Sequence, residues 1–369
     1  MTQSKDLYYM QMALELASRA TILTSPNPKV GCVIVKDDVI LGQGWTQEVG
    51  QAHAEVMALR DAASSGNDVR GATAYVTLEP CSHYGRTPPC ANALIVAGLA
   101  RVVAAVGDAN PQVAGRGFAM LEAAGIAVAH GLLATEARAM NRGFFKRMET
   151  GKPWVRLKMA ASLDGYTALP NGQSQWITGA EARLDGHHWR AKSDAILTGI
   201  GTVLADDPQM NVRLPEQDVL RQPRKFVLDS QLRTPVSAKL LRGASVNIAH
   251  AKRNPDAEES LRQAGANLLY LPDQHGAESQ VDLPALMLVM GAQQINELHV
   301  EAGATLSGAL IAAACVDELL LYLAPKLLGS GAGMFALPEL QQLNQARELT
   351  VHDAKQLSDN TIRVLACFT

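Results

Sequence analysis

A chain of 369 residues with 47% apolar and 19% charged side chains has material for two packed domains, at roughly 150 residues per domain, and disorder is excluded as its main state. Its 33 Lys and Arg against 36 Asp and Glu leave a net charge of −3, and aromatic residues make up only 5%. Neither a polyanion-binding surface nor a stacking platform for single-stranded nucleic acid follows from such a composition.

Hydrophobic periodicity predicts alternating helices and strands in the first part of the chain. Asp6 is placed to cap a helix with Leu7, Met10, Leu14 and Ala17 on its apolar face. Strands are expected over Val30–Val35 and Val39–Gln43, a helix over Ala54–Ala63 and a buried strand over Ala72–Leu78. A helix over Ala91–Ala97, a strand over Arg101–Val106, a helix over Phe118–Ala124 and a short strand over Ala127–His130 follow, and Thr135–Phe145 reads as one last helix. Strands separated by helices of this length imply a layered α/β sheet.

The polar segment Lys146-Arg147-Met148-Glu149-Thr150-Gly151-Lys152-Pro153 ends in a Gly…Pro break and marks a boundary, giving domains over residues 1–147 and 148–369. The first holds 13 basic and 12 acidic side chains and the second 20 and 24, so neither is strongly basic. The local run Arg138, Arg142, Lys146, Arg147, Lys152, Arg156, Lys158 reads either as a solvated face plus linker or as a phosphate contact. In the second part, strands are expected at Trp154–Ala160, Ala195–Thr198, Phe226–Leu228, Val246–Ala249, Asn267–Leu271, Glu297–Val300, Glu318–Leu323, Glu348–His352 and Thr361–Cys367. Helices are expected at Ala180–Ala191, Glu258–Ala264, Pro284–Met290 and Leu306–Ala314.

No signal core interrupts the charged N-terminal stretch, and the longest charge-free apolar run, Ala302–Val316, is shorter than the roughly 18–20 residues of a membrane helix. The five cysteines, at 32, 81, 90, 315 and 367, are expected to be reduced thiols in a cytoplasmic protein, where a local pair is metal-bound or catalytic.

One such pair stands beside a histidine motif. His53-Ala54-Glu55 precedes a predicted helix, Pro80-Cys81 follows a predicted strand, and Cys90 comes nine positions later. One imidazole and two thiolates suit zinc and leave a fourth position open for a water, whose pKa the metal lowers toward neutrality. Glu55 can then move protons without ligating the metal, the logic of zinc-dependent nucleobase deaminases. Eight residues separate the two cysteines where the commoner signature has two, and the longer loop could form a specialised substrate wall.

Together, Asn27-Pro28-Lys29-Val30-Gly31, His53-Ala54-Glu55 and Glu79-Pro80-Cys81-Ser82-His83-Tyr84-Gly85-Arg86-Thr87-Pro88-Pro89-Cys90 closely resemble the deaminase half of the bifunctional riboflavin-biosynthesis deaminase–reductases. The resemblance implies a cytidine-deaminase-like three-layer α/β/α domain, zinc on His53, Cys81 and Cys90, Glu55 as catalytic proton shuttle, and substrate contacts from Asn27, His83 and Arg86. Arg86 stands where many members have lysine, which keeps the charge and changes its geometry.

In the second half, Gly199-Ile200-Gly201-Thr202-Val203-Leu204 lacks the third glycine of a dinucleotide fingerprint, so a Rossmann domain is not indicated. Glu301-Ala302-Gly303-Ala304-Thr305-Leu306-Ser307-Gly308 follows a strand and opens a helix, a turn whose backbone N–H groups can approach a phosphate. Ser162-Leu163-Asp164-Gly165, Ser174-Gln175-Trp176-Ile177-Thr178, Thr202-Val203-Leu204-Ala205-Asp206-Asp207-Pro208 and Ala324-Pro325-Lys326-Leu327-Leu328-Gly329 resemble the reductase half of the same family, so the likeness covers essentially the whole chain.

That half is similar to dihydrofolate reductase and uses NADPH. Carried over, cofactor contacts fall on Ala160, Trp176, Thr202, Asp206, Ser230 and the stretch Gly303, Ala304, Thr305, Leu306, Ser307, Gly308, Ala309. Substrate contacts fall on Ser174, Arg190, Met210, Arg213 and Glu301, with Arg190 and Arg213 suited to grip a sugar phosphate through paired hydrogen bonds. Asp206 could hold a ribose hydroxyl or manage a proton during hydride delivery, or shape an Asp-Asp-Pro turn.

The resemblance implies two reactions, zinc-dependent hydrolytic deamination of 2,5-diamino-6-(5-phosphoribosylamino)pyrimidin-4-one and NADPH-dependent reduction of the ribosyl product to a ribityl chain. It also implies a small-molecule substrate, no nucleic-acid or membrane partner, and, with the apolar C-terminal half, a homodimer through the reductase domain. The alternative arrangement is a nucleic-acid or nucleoside deaminase fused to a nucleotide-binding module.

Overall fold

The computed structural model describes residues 2–83, 89–111, 113–214, 219–243, 245–273 and 279–368. The chain forms two compact units, Met1–Gly151 and Lys152–Thr369. No helix among the described residues is long and apolar enough to cross a membrane.

The first unit contains, in chain order, α1 (Thr2–Ser18), β1 (Gly31–Lys36), β2 (Val39–Trp45), α2 (Ala54–Ser64), β3 (Thr73–Val76), α3 (Cys90–Val96), β4 (Arg101–Ala104), α4 (Arg116–Ala123), β5 (Ala127–His130), α5 (Ala134–Met140) and α6 (Arg142–Thr150). Its sheet runs β2-β1-β3-β4-β5, with β1 antiparallel to both neighbours and β3, β4 and β5 parallel. Both faces of the sheet are apolar, because consecutive side chains of β1, β3 and β4 are buried on opposite sides. Cys32, Ile34, Ala74, Val76, Val102 and Ala104 pack on α2, α3, α4 and α6 through Ala54, Ala58, Leu94, Leu121, Phe144 and Phe145. Val33, Val35, Tyr75 and Val103 pack on α1 and α5 through Tyr9, Met10, Ala13, Leu16 and Ala137. Three layers result, helices on both sides of a mixed sheet.

Two local expectations differ from the structure. Asp6 lies inside α1 and does not cap it; its buried carboxylate accepts both ends of the Arg101 guanidinium (2.8 and 2.7 Å) and the Tyr75 hydroxyl (2.7 Å). The helix expected over Thr135–Phe145 is two helices, broken at Asn141. The Asn141 side-chain amide accepts from the Lys29 N–H and donates to the Lys29 carbonyl, both at 2.8 Å, so it fastens the loop before β1. The helix α6 runs through the 147/148 division and stops at Gly151, whose φ of 72° ends it.

The second unit comprises β6 (Trp154–Ser162), β7 (Tyr166–Ala168), α7 (Ala180–Ala191), β8 (Ala195–Gly199), α8 (Ile200–Asp206), β9 (Arg224–Leu228), β10 (Val246–His250), α9 (Pro255–Gln263), β11 (Ala266–Tyr270), α10 (Leu283–Ala292), β12 (Glu297–Glu301), α11 (Ala304–Ala312), β13 (Glu318–Ala324), β14 (Ala332–Gly333), β15 (Leu349–Gln356) and β16 (Ile362–Phe368). The main sheet has the order β11-β10-β9-β8-β12-β6-β13-β16-β15, and β7 pairs separately with β14. Its first seven strands are parallel; β16 and β15 add an antiparallel hairpin at the edge.

One face of this sheet buries Val155, Leu157, Leu197, Leu298, Val300 and Leu319 against α10 and α11. On the other, α8 and α9 cover the β9–β10 side with Ile200, Val203 and Leu261, and α7 covers β13. Beneath α7 the layer is polar as well as buried. Arg156, from the basic run read as a solvated face plus linker or as a phosphate contact, is instead 1% exposed, pairs with Glu318 and Glu297, and lies against the Trp189 ring.

Candidate functional site

Four segments meet at one end of the first sheet. β1 starts there, β2 and β3 are antiparallel to β1 and end there, and β4 runs parallel to β3. The loop carrying Asn27 enters β1 at this end and is stapled to the exit of β3, because the Gly31 N–H donates to Thr77 Oγ1 (3.1 Å). Asn27 is half-buried, and its N–H donates to the Thr24 carbonyl (3.0 Å).

His53 is the residue before α2 and Cys90 is the first residue of α3. The His53 Nδ1 atom lies 3.6 Å from Cys81 Sγ and 3.4 Å from Cys90 Sγ, and the Cys90 N–H donates to Cys81 Sγ (3.2 Å). Their ligand atoms all fall within 4.8 Å of one another, the one such group of three among the described residues. An imidazole and two sulfurs at this spacing are a zinc donor set with one coordination position left over. A side-chain hydrogen bond between the two sulfurs holds the Cys81 thiol down to about 4 and pushes the Cys90 thiol up. Glu55, in the first turn of α2, is buried; that burial, helped by Cys81, pushes its carboxyl up to about 7.

His83 is exposed, two residues beyond Cys81. Arg86 lies outside the described residues. Burial pushes the Asp108 carboxyl up to about 6. Asp108 belongs to the segment after β4, and Glu79 ties that segment to the cysteine loop. Glu79 is 3% exposed and accepts three backbone N–H groups, from Asp108 (3.1 Å), Gly115 (3.0 Å) and Gly117 (2.9 Å). The two loops press so closely that a Cβ on Gly117 would stand 2.0 Å from the Pro80 carbonyl oxygen. Glu79, Asn141 and Asp108 had no assigned site role in the sequence; the available signal for Glu79 was a carboxylate at the end of a buried strand, immediately before Pro80-Cys81.

In the second unit, most of the expected residues sit along the C-terminal edge of adjacent parallel strands, where α/β sheets bind ligands. Ala160 is on β6, Thr202 and Asp206 are on α8 after β8, Ser230 follows β9, Glu301 is the last residue of β12 and Gly303 follows it. Gly303 caps α11 with no side-chain hydrogen bond, and there is open space where its Cβ would be, so the backbone can be approached closely. Thr305 and Ala309 are exposed, and Ala304 and Leu306 are half-buried. Ser307 and Gly308 turn inward: the Ser307 hydroxyl donates to the Ala302 carbonyl (3.3 Å), and Gly308 lies against the Ala336 backbone. Asp206 is exposed, whereas Asp207 shapes the turn by accepting the Lys239 N–H (2.8 Å).

Trp176 is 65% exposed, with Arg183 stacked on its ring at 4.4 Å and Lys326 Nζ donating to its carbonyl (3.1 Å); Ser174 is exposed on the same loop. Arg190, at the end of α7, makes its paired hydrogen bonds to Glu301 (2.5 and 2.9 Å) where a sugar phosphate was expected, and donates its third nitrogen to the Asn211 carbonyl (2.9 Å). Burial opposes charge on Glu301, but Arg190, with Lys158 and His299, holds its carboxyl well below the usual range. Arg213 is exposed and donates to Asn211 Oδ1 (2.6 Å), and Met210 is buried. Of the groups facing Glu301, His299 had no assigned site role in the sequence, and Lys158 stood only in the basic run read as a solvated face or a phosphate contact.

Comparison with known proteins divides the chain in the same way. Residues 3–106 match the model of the cytidine and deoxycytidylate deaminase zinc-binding region, and residues 153–362 match that of the RibD C-terminal domain. The riboflavin biosynthesis protein RibD of Escherichia coli K12 is 50% identical over 366 residues, 96% of this chain and 97% of that protein. The solved structure of Acinetobacter baumannii RibD (form 2) is 44% identical with a TM-score of 0.89, covering 100% of both chains. A Thermotoga maritima diaminohydroxyphosphoribosylaminopyrimidine deaminase/5-amino-6-(5-phosphoribosylamino)uracil reductase is 29% identical with a TM-score of 0.86, again covering 100% of both.

Proposed function

The chain belongs to the RibD family of bifunctional deaminase–reductases of riboflavin biosynthesis, and from that premise we propose how its own residues divide the two reactions. The observation that carries the deaminase assignment is the His53–Cys81–Cys90 triangle with the buried Glu55 beside it. These three side chains would hold zinc, which when bound supplies the positive charge that makes a water acidic near neutral pH. Glu55 takes a proton from the attacking water and returns it to the departing amine of the diaminopyrimidine. Its raised proton affinity, set by burial, suits a group that both accepts and donates near neutrality. Asn27, His83 and Arg86 are assigned to orienting the ring and its phosphoribosyl arm.

The reductase reading rests on the residues gathered at the strand ends of the second unit. The start of α11, which has no side-chain cap, and the open space at Gly303 suit a pyrophosphate; Ser230, Thr202 and Ala160 lie along the same strand ends, and Trp176 is on the loop before α7. NADPH bound there supplies hydride. As C1′ of the ribosyl group gains hydride, its bond to the ring oxygen breaks and that oxygen takes a proton, leaving the ribityl chain. Arg190 fixes Glu301, Lys158 places a second positive charge beside that carboxylate, and Arg213 is assigned to the phosphate. Asp206, exposed at the end of α8, is assigned to a ribose hydroxyl or to proton transfer.

The product of the first unit is the substrate of the second. We assign a second copy of this chain to the reductase edge, where exposed Leu337, Leu340, Leu343, Leu349 and Val351 lie on and before β15. A ligand set needing two reduced thiols suits a cytoplasmic setting. The test is Glu55→Ala in the zinc-loaded protein: ammonia release should fall by about 10²–10⁴-fold while NADPH-dependent reduction of the uracil intermediate continues. Parallel loss of both activities would refute the division of labour.

A further inference from the structure

We infer that His187 is a positioning residue of the reductase site, holding Arg213 in place through a hydrogen bond from the Arg213 backbone N–H to the imidazole Nδ1 (3.2 Å). The inference rests on the reading that Arg213 meets the phosphate of the ribosyl substrate.

Residues 210–213 have no regular secondary structure, and α7 holds them at two points. His187 and Arg190 are three residues apart on that helix, so they project to the same side. Arg190 grips the Asn211 carbonyl and His187 grips the Arg213 N–H. A third attachment comes from Gln222, whose side chain accepts the Val212 N–H (2.8 Å) and donates to the Val212 carbonyl (3.2 Å).

The His187 bond also fixes the chemistry of the imidazole. A backbone N–H can only donate, so Nδ1 must be the acceptor, and the ring is the neutral tautomer with its proton on Nε2. Burial and the neighbouring Arg190 and Arg213 charges push its titration down to about 4, so the acceptor persists at neutral pH.

The anchor has a specific task because two guanidiniums stand close together. Burial and the Arg190 charge both work against the charged form of Arg213. Arg190 is matched by Glu301; Arg213 is held by Asn211 at one nitrogen. Arg190 and Gln222 hold the segment at Asn211 and Val212, so the His187 bond is what holds the backbone of Arg213 itself against this repulsion. The His187 bond holds it until a phosphate dianion arrives and offsets the repulsion. Loss of the anchor should therefore weaken substrate capture and leave hydride transfer nearly unchanged.

The asparagine side-chain oxygen can take the place of Nδ1, and the glutamine amide can take the place of Nε2–H. Steady-state reduction of 5-amino-6-(5-phosphoribosylamino)uracil by the full-length enzyme should show KM raised about fivefold in His187→Ala, the loss of one ordinary hydrogen bond, with kcat within about twofold. His187→Asn should restore KM and His187→Gln should not, while the Kd for NADPH, read by fluorescence quenching, stays constant throughout. An unchanged KM in His187→Ala would overturn the inference, as would rescue by glutamine and not asparagine, which would make Nε2 a direct substrate contact. Absence of turnover by the unsubstituted enzyme would overturn the substrate assignment, and this inference with it.

Discussion

Glu79 offers a sharp test of how the metal loop is held, because its buried carboxylate serves three backbone donors at once. Oε2 accepts the Asp108 and Gly115 N–H groups, and Oε1 accepts that of Gly117. In Glu79→Gln one amide oxygen can keep the Oε2 pair, but the NH₂ group then faces the Gly117 N–H, donor against donor. A hydrogen bond to a charged group contributes about 1.5–3 kcal/mol, so one lost bond plus one unpaired donor predicts a loss of about 2–4 kcal/mol in the first unit. Glu79→Ala strands all three donors and should reach the upper end of that range or beyond, tempered by water entering the truncated space. Cys81 is only two residues away, and side chains that orient metal ligands are typically worth 10–100-fold in metal affinity. Zinc retention against a chromophoric chelator should weaken by that factor in Glu79→Gln, and ammonia release should fall in step at limiting zinc. NADPH-dependent reduction of the uracil intermediate is the internal reference and should stay at the wild-type level. Wild-type zinc affinity and ammonia release in Glu79→Ala would show that the cysteine loop holds its shape without this carboxylate.

Two other perturbations bear on the same unit. Asp6 is held below its usual carboxylate range, first by its hydrogen bond to Arg101 and then by Tyr75. A depressed native value contributes stability above the unfolded value of roughly 3.9, and this is lost as pH falls through the native one; Asp6→Asn should cost about 2 kcal/mol at pH 7 and flatten the acid limb of a stability–pH curve below about pH 4. Superimposable acid limbs for the two proteins would refute this. Chelation of zinc should abolish ammonia release, spare reduction of the uracil intermediate and leave far-UV circular dichroism unchanged, because the two apolar layers around the first sheet close without a metal; cooperative loss of helical signal on chelation would make the metal structural.

Much of the fold was legible because strands and helices carried different hydrophobic periods. The β1 sequence Gly31-Cys32-Val33-Ile34-Val35 is continuously apolar, as a strand covered on both faces must be, and α7 occupies its expected range of Ala180–Ala191. The errors came where a single polar side chain acted at long range. Asn141 looked like an interior helix residue, yet its amide clamps Lys29, 112 positions away. Asp6 looked like a cap, yet its partners are Tyr75 and Arg101. The seven-residue α8, with Gly201 in its first turn, gave no helical period to detect.

The site divides along the same line. The grouping of His53, Cys81 and Cys90 was legible because metal ligation demands rare residue types at element boundaries, and such types stand out one by one; Glu55 drew attention only by standing two positions after His53. The polar layer under α7 was not, for a physical reason. On β12 the order Glu297-Leu298-His299-Val300-Glu301 alternates charged and apolar residues, the pattern of a strand with one wet face. In the structure that face is covered, with His299 0% and Arg156 1% exposed. Burial is tolerable because α7 brings Asp185 to Arg363, Trp189 to Arg156 and Arg190 to Glu301, and β13 brings Glu318 to Arg156. These partners lie 162 positions apart for Arg156–Glu318 and 111 for Arg190–Glu301, so no local window contains both halves of a pair. Here the alternation usual for a half-wet strand marks a buried electrostatic layer, with Glu301 at the C-terminal end of β12.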